Sequence, residues 1–167
     1  MTSLVALSIS IGVLGAVATW LALGPLAGVV VIWGIFIAWA TYFATGGDTA
    51  GLKTTIISGI WGAICAWVAF VILKVVPVDL PANLWPAIVV GATVLVLCLG
   101  AHVEALKNIP ASVYGYAVTA ALALTMANAD VMAPNTGNPL VVAVISIIVG
   151  ALFGFVSGKV AGALGKG

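Results

Sequence analysis

The chain has 167 residues, of which 64% are hydrophobic and only nine are charged, five lysines against four acids, for a formal net charge of +1. So few ionised groups could not hydrate the surface of a soluble domain of this size, and the near-neutral balance excludes the basic face that nucleic acid requires. Asp48, Lys53, Lys74, Asp79, Glu104, Lys107, Asp130, Lys159 and Lys166 all stand at or near the ends of apolar runs.

About 20 apolar residues span the hydrocarbon of a bilayer as a helix, so the runs predict an all-α polytopic membrane protein with six transmembrane helices in a single domain, 1–167. A β-barrel is disfavoured because the runs are continuous rather than alternating. The first span is placed at 4–23. The start, Met1-Thr2-Ser3, lacks a basic region and no convincing cleavage site follows, so this run is expected to be a retained helix.

The apolar stretch continues to Ala44, too long for one crossing, and Gly24-Pro25 is the turn that divides it, placing the second span at 26–44. The short polar stretch Thr45-Gly46-Gly47-Asp48-Thr49 leads to a third span at 52–73. Pro77, Pro81 and Pro86 punctuate the way to a fourth at 84–101. Asn108-Ile109-Pro110 opens a fifth at 109–127, and a loop rich in Asn and Pro precedes the sixth at 139–160. With both ends cytoplasmic, Lys53, Lys107, Lys159 and Lys166 lie inside and Lys74 alone outside, as the positive-inside bias requires.

Three helices per half are compatible with two inverted repeats, an arrangement that builds a midplane site between halves in many transporters. Trp33-Gly34 in span two is echoed by Tyr114-Gly115 in span five, and Gly59 and Gly62 in span three by Gly150 and Gly154 in span six. Span six also repeats small residues every four positions, at Ser146, Gly150, Gly154, Gly158 and Gly162. Such a stripe lets another backbone approach closely, within one chain or between subunits, and a homo-oligomer is expected. Shorter stripes run through Gly51, Thr55, Gly59 and Ala63 and through Ala111, Gly115, Thr119 and Ala123.

Polar residues within the spans are the candidate functional groups. Thr41, Tyr42 and Thr45 close span two, while Ser112, Tyr114, Tyr116 and Thr119 lie in span five. A hydroxyl in a membrane interior either bonds a neighbouring helix or lines water, and Thr41, Tyr42, Thr45, Tyr114, Tyr116 and Thr119 are taken as candidate lining of a solute path. Of the six tryptophans, Trp20 and Trp85 read as interfacial anchors and Trp33 and Trp61 as deeper residues. His102, Glu104 and Lys107 form a hydrated loop rather than a proton relay or metal site. Cys65 and Cys98, without CxxC spacing, are packing residues.

No GxSxG, HExxH or phosphate-cradling loop is present and the four carboxylates are scattered, so neither an enzyme nor a resident cofactor or metal is expected. Ala40-Thr41-Tyr42-Phe43-Ala44, Gly46-Gly47, Gly51-Leu52-Lys53, and Pro110 with Gly115-Tyr116-Ala117-Val118-Thr119 together resemble the YcdZ-like family of small bacterial inner-membrane proteins. The resemblance covers most of the chain by size and span layout, and departs from the family in the spacing after Gly46-Gly47 and in the long loop before span six. It implies an inner-membrane location; the family has no settled activity. The expected function is a channel or facilitator for a small uncharged polar solute, with the lipid bilayer and the solute as partners; the alternative is a structural or accessory membrane subunit.

Overall fold

Helix starts in this chain are marked by side chains that accept the otherwise unpaired first-turn N–H groups. In the computed structural model, which describes residues 2–165, Thr2 Oγ1 accepts from Val5 N and opens α1 (Ser3–Leu23). Asp48 Oδ1 accepts from Gly51 N at 2.7 Å and opens α3 (Thr49–Val75). Asn108 Oδ1 accepts from Ala111 N at 3.0 Å ahead of α5 (Ile109–Thr125). Asn138 Oδ1 accepts from Leu140 N at 3.0 Å ahead of α6 (Pro139–Leu164). Lys166, one of the four lysines expected inside, lies outside the described residues.

The remaining two helices, α2 (Ile32–Ala44) and α4 (Leu84–Leu99), begin without a side-chain cap of their own. All six are apolar. Those starting at Ser3, Thr49, Leu84 and Pro139 are long and apolar enough to cross a membrane, α4 being extended to His102 by a 3-10 turn, whereas α2 and α5 are shorter. The second span expected at 26–44 is helical only from Ile32. Gly24 ends α1, but Pro25 does not start the next helix: residues 24–31 form a turn and an extended stretch, with Gly28 at φ +77°. Val29 and Val30 turn back to the Leu26 carbonyl, and Val31, at φ −121° and ψ 132°, takes the extended backbone that its β-branched side chain favours. Val31 N then donates to Ser146 Oγ of α6 at 3.0 Å, so α6 supplies a partner where α2 lacks its own.

The chain divides into two compact units, one comprising residues up to Ile56 together with Ile145 onward, the other Ile57–Val144. In the first, Ala18, Ala22, Val30, Ile35 and Trp39 form the centre of a hydrophobic core. α6 runs parallel to α2, Gly150 against the Ile35 carbonyl and Gly154 against the Tyr42 ring. α1 runs the other way along α6: Ser10 Oγ donates to the Ser157 carbonyl at 2.9 Å, and Gly165 lies by Ser3 and Ala6.

In the second unit α3 and α5 meet through Gly59, Gly62 and Gly115, where a Cβ on Gly62 would fall 1.7 Å from the Ser112 carbonyl oxygen. Their C-terminal ends also share one side, because Lys74 pairs with Asp130 at 2.6 Å and Trp67 Nε1 donates to the Val131 carbonyl at 2.7 Å. α4 packs against α3 through Trp61 Nε1, which donates to the Leu97 carbonyl. Polarity is arranged as a membrane requires. Leu4, Val13 and Trp20 of α1 and Leu84, Ile88 and Leu95 of α4 are exposed, while Ser10, Thr55, Ser58, Thr93, Ser112, Thr119, Ser146 and Ser157 are buried.

Candidate functional site

A polar cluster lies at the turn between α2 and α3. Gly46 (φ +114°) and Gly47 (φ +66°) take backbone conformations that a side chain would oppose. They allow Gly47 N to reach the Tyr42 carbonyl and Gly46 N the Phe43 carbonyl, which satisfies the last turn of α2. The Tyr42 side chain folds over the same turn and donates its hydroxyl to the Gly47 carbonyl at 2.5 Å. Thr45 Oγ1 lies within 3.1 Å of the Thr41, Tyr42 and Gly51 carbonyls and of Thr55 Oγ1. With one proton it donates to one carbonyl at a time and can accept from Thr55. Thr41 Oγ1 donates to the Ile37 carbonyl of its own helix.

Beside this turn is a pocket of about 230 Å³ lined by Tyr42, Gly47, Asp48, Thr49, Phe155, Gly158 and Lys159. Gly158 helps to open it: a Cβ there would rest 3.5 Å from the Tyr42 hydroxyl. Lys159 Nζ stands 5.3 Å from the centre of the Phe155 ring, a cation–π distance. Asp48 and Lys159 each form no ion pair among the described residues.

The span-five candidates lie in the other unit and separate from one another. Tyr116 hydroxyl and Thr93 Oγ1 are 3.0 Å apart, joining α5 to α4. Thr119 is fully buried and donates to the Gly115 carbonyl of its own helix. Tyr114, by contrast, is 45% exposed on the outer face of α5. A second cavity in this unit is almost wholly apolar, about 320 Å³, and is lined by residues of α3 and α4 including Trp61, Cys65 and Thr93. The Ser58 hydroxyl is buried, with no hydrogen-bond partner among the described residues.

The small-residue stripe of α6 is used unevenly. Gly150 and Gly154 meet α2 closely, whereas nothing among the described residues lies within 4 Å of a Cβ placed on Gly162. Ser157, which falls between the glycines and was not singled out by the spacing, ties three helices together. Its Oγ accepts from Trp39 Nε1 at 2.9 Å and donates to the Gly154 carbonyl at 2.8 Å, and its carbonyl accepts from Ser10. Trp39, rather than Trp33, is the deeply buried tryptophan of α2. Trp20 is exposed, and Trp85 Nε1 donates to the Val76 carbonyl near the start of α4. Glu104 pairs with Lys107 in the loop before α5, with His102 exposed beside them.

A family model described as a protein of unknown function (DUF1097) matches residues 8–162 of the chain. No curated protein and no solved structure shows significant similarity to it.

Proposed function

The chain belongs to the DUF1097 family of proteins of unknown function, and from that premise we propose that it is a six-span membrane facilitator for a small uncharged polar solute. The observation that carries this reading is the α2–α3 turn. There three of the six candidate lining residues, Thr41, Tyr42 and Thr45, gather, and Tyr42 borders a polar pocket of about 230 Å³. A solute without net charge suits a chain whose charges stand at helix ends, since ion-coupled carriers usually hold a charged side chain at depth. No catalytic step is part of the proposal.

Six crossings are supported by which chain segments share an end within each unit. In the first, the starts of α1 and α3 and the end of α6 lie together, since Gly165 lies by Ser3 while Asp48 and Lys159 line one pocket. In the second, Lys74 and Asp130 pair across the sequence that holds α4 and α5, which fits two crossings between them. The 13-residue α2 reaches only about 20 Å at 1.5 Å per residue, so its crossing must include part of the turns at residues 24–30 and the extended Val31 that precede it.

An inverted repeat is supported by the same inventory. α6 runs parallel to α2 on glycine contacts in one unit, and in the other α3 and α5 cross on glycine contacts with their C-terminal ends on one side. Exchanging the halves of the chain turns each pair into the other. The resemblance to YcdZ-like proteins and the lysine bias support an inner-membrane location with cytoplasmic termini.

Reconstituted liposomes test the reading by stopped-flow swelling in acetamide, methylurea, acetate and methylammonium. Faster entry of the neutral solutes than into empty vesicles is expected. Parity with empty vesicles for every neutral solute sinks the facilitator. A second reading, a structural or accessory subunit, is favoured by one observation: the hydroxyls of five of the six candidates, Thr41, Tyr42, Thr45, Tyr116 and Thr119, bond within the protein.

A further inference from the structure

We propose that the pocket at the α2–α3 turn is a binding site for a small neutral molecule that presents a hydrogen-bond donor and acceptor together, the chemistry of a primary amide or a urea. The inference rests on the facilitator reading and names the site where the solute would first be held. Asp48, Lys159 and Phe155 define it, in addition to Tyr42.

The pocket carries one acid and one base that are not spent on each other. Asp48 uses Oδ1 to accept the Gly51 N–H, which leaves Oδ2 as an acceptor toward the pocket. Lys159 is held over the Phe155 ring, a contact that uses its charge without consuming an N–H in a directed bond. The Tyr42 proton is committed to the Gly47 carbonyl, so its phenol oxygen can only accept. The walls therefore offer donors from Lys159 and acceptors from Asp48 and Tyr42, at no net charge.

Such a site discriminates by charge. An anion gains Lys159 but faces Asp48, and a cation gains Asp48 but faces Lys159. An amide satisfies both, its carbonyl oxygen accepting from Lys159 and its NH₂ donating to Asp48. A zwitterion could also engage both, but its two charges give up more hydration than an amide does, and the exposed Asp48 and Lys159 return little Coulomb energy for it. A volume of about 230 Å³ lies below that of pockets for drug-sized ligands and suits a solute of a few heavy atoms.

The test is ligand-observed saturation-transfer NMR on the full chain in lipid nanodiscs, with acetamide, methylurea, acetate, methylammonium and glycine as probes. Transfer to acetamide and methylurea at least threefold stronger than to the three charged probes is expected. Lys159→Met, which keeps the stem, and Asp48→Asn, which keeps the cap of α3, should each lower the amide signal at least threefold. Equal transfer to acetate or glycine, or an amide signal unchanged in the double variant, overturns the proposal. Solute flux measured on the same preparations separates the two ideas. Flux without pocket-dependent binding removes this site and leaves the facilitator, whereas pocket-dependent binding without flux keeps the site and removes the facilitator.

Discussion

The Tyr42 ring occupies the space that Gly154 leaves empty: a Cβ on Gly154 would lie 2.7 Å from Tyr42 Cδ1 and 3.0 Å from Tyr42 Cβ. The clash reaches the root of the tyrosine, so the ring cannot swing away without moving α2. Gly154→Ala should therefore cost about 1–3 kcal/mol, the usual range for overpacking. Gly158→Ala, at ordinary contact distance, and Gly162→Ala, with no contact within 4 Å among the described residues, should leave stability within about 0.5 kcal/mol. Thermal unfolding of the purified variants in one detergent orders the three, and a tolerated Gly154→Ala would contradict the packing of α6 on α2.

The contact between α3 and α5 is tighter still. A Cβ on Gly115 would fall 1.9 Å from the Gly59 carbonyl oxygen, a backbone atom with no rotamer to yield. Gly115→Ala and Gly62→Ala should separate these helices and cost more than about 3 kcal/mol, seen as loss of monodisperse protein in size-exclusion chromatography. Gly91→Ala in α4, where nothing lies within 4 Å, is the matched control and should express as wild type.

Ser157 links α1, α2 and α6 through three hydrogen bonds, of which the bond from Trp39 Nε1 is the one that loses its only partner on mutation. Ser157→Ala leaves that buried indole N–H unsatisfied. Interhelical hydrogen bonds in membrane proteins average about 0.6 kcal/mol and reach about 1.7, and this buried pair should fall in the upper part of that range. A double-mutant cycle with Trp39→Phe, read by denaturant unfolding, isolates the coupling; additive losses would show that the bond contributes nothing.

Run length and hydropathy made six apolar segments legible, and Asn108 marked where one helix opens, whereas the third span, expected from 52, opens three residues earlier behind Asp48. The shortening of α2 was hidden because residues 26–44 read as continuously apolar, and hydropathy does not register that Gly28 and three valines interrupt a helix. Tyr114 and Tyr116 could have been separated earlier. Two residues apart on a helix they are about 200° apart, so one faces outward when the other faces in. The pocket residues followed a different logic. Thr41, Tyr42 and Thr45 are local to one helix end, but the approach of Phe155 and Lys159 to Asp48 depends on α6 returning beside α2, which no local pattern reveals. The same holds for Ser157, whose role comes from partners 118 and 147 positions away.

Asp130 gives the loop before α6 a pH dependence of known sign. Lys74 and the Met132 N–H hold its carboxyl below the ordinary aspartate range. A carboxyl depressed in the folded state contributes stability above its unfolded value of about 3.9, and that contribution disappears as the pH falls through the lower folded value. Both partners are half-exposed, so the effect is small. Wild type should exceed Asp130→Asn in unfolding temperature near pH 6, with the gap closing below about pH 4 and narrowing in high salt. A gap that persists at low pH would mean that the substitution acts through the loop backbone instead.

The Lys74–Asp130 pair also fixes what a topology experiment must find. It holds the end of α3 beside the loop that precedes α6, so both belong on one side of any membrane the protein spans. In the proposed orientation, with the lysine-rich ends cytoplasmic, that side is external. In a background with Cys65 and Cys98 replaced by alanine, Asp79→Cys and Thr136→Cys should react with an impermeant maleimide in intact cells. Glu104→Cys, between α4 and α5, should react only after lysis. Labelling of Glu104→Cys alone would invert the termini and leave the fold intact. Labelling of Asp79→Cys without Thr136→Cys is the more damaging result: it requires an odd number of crossings between two segments that the ion pair places together, and so removes α4 or α5 as a span.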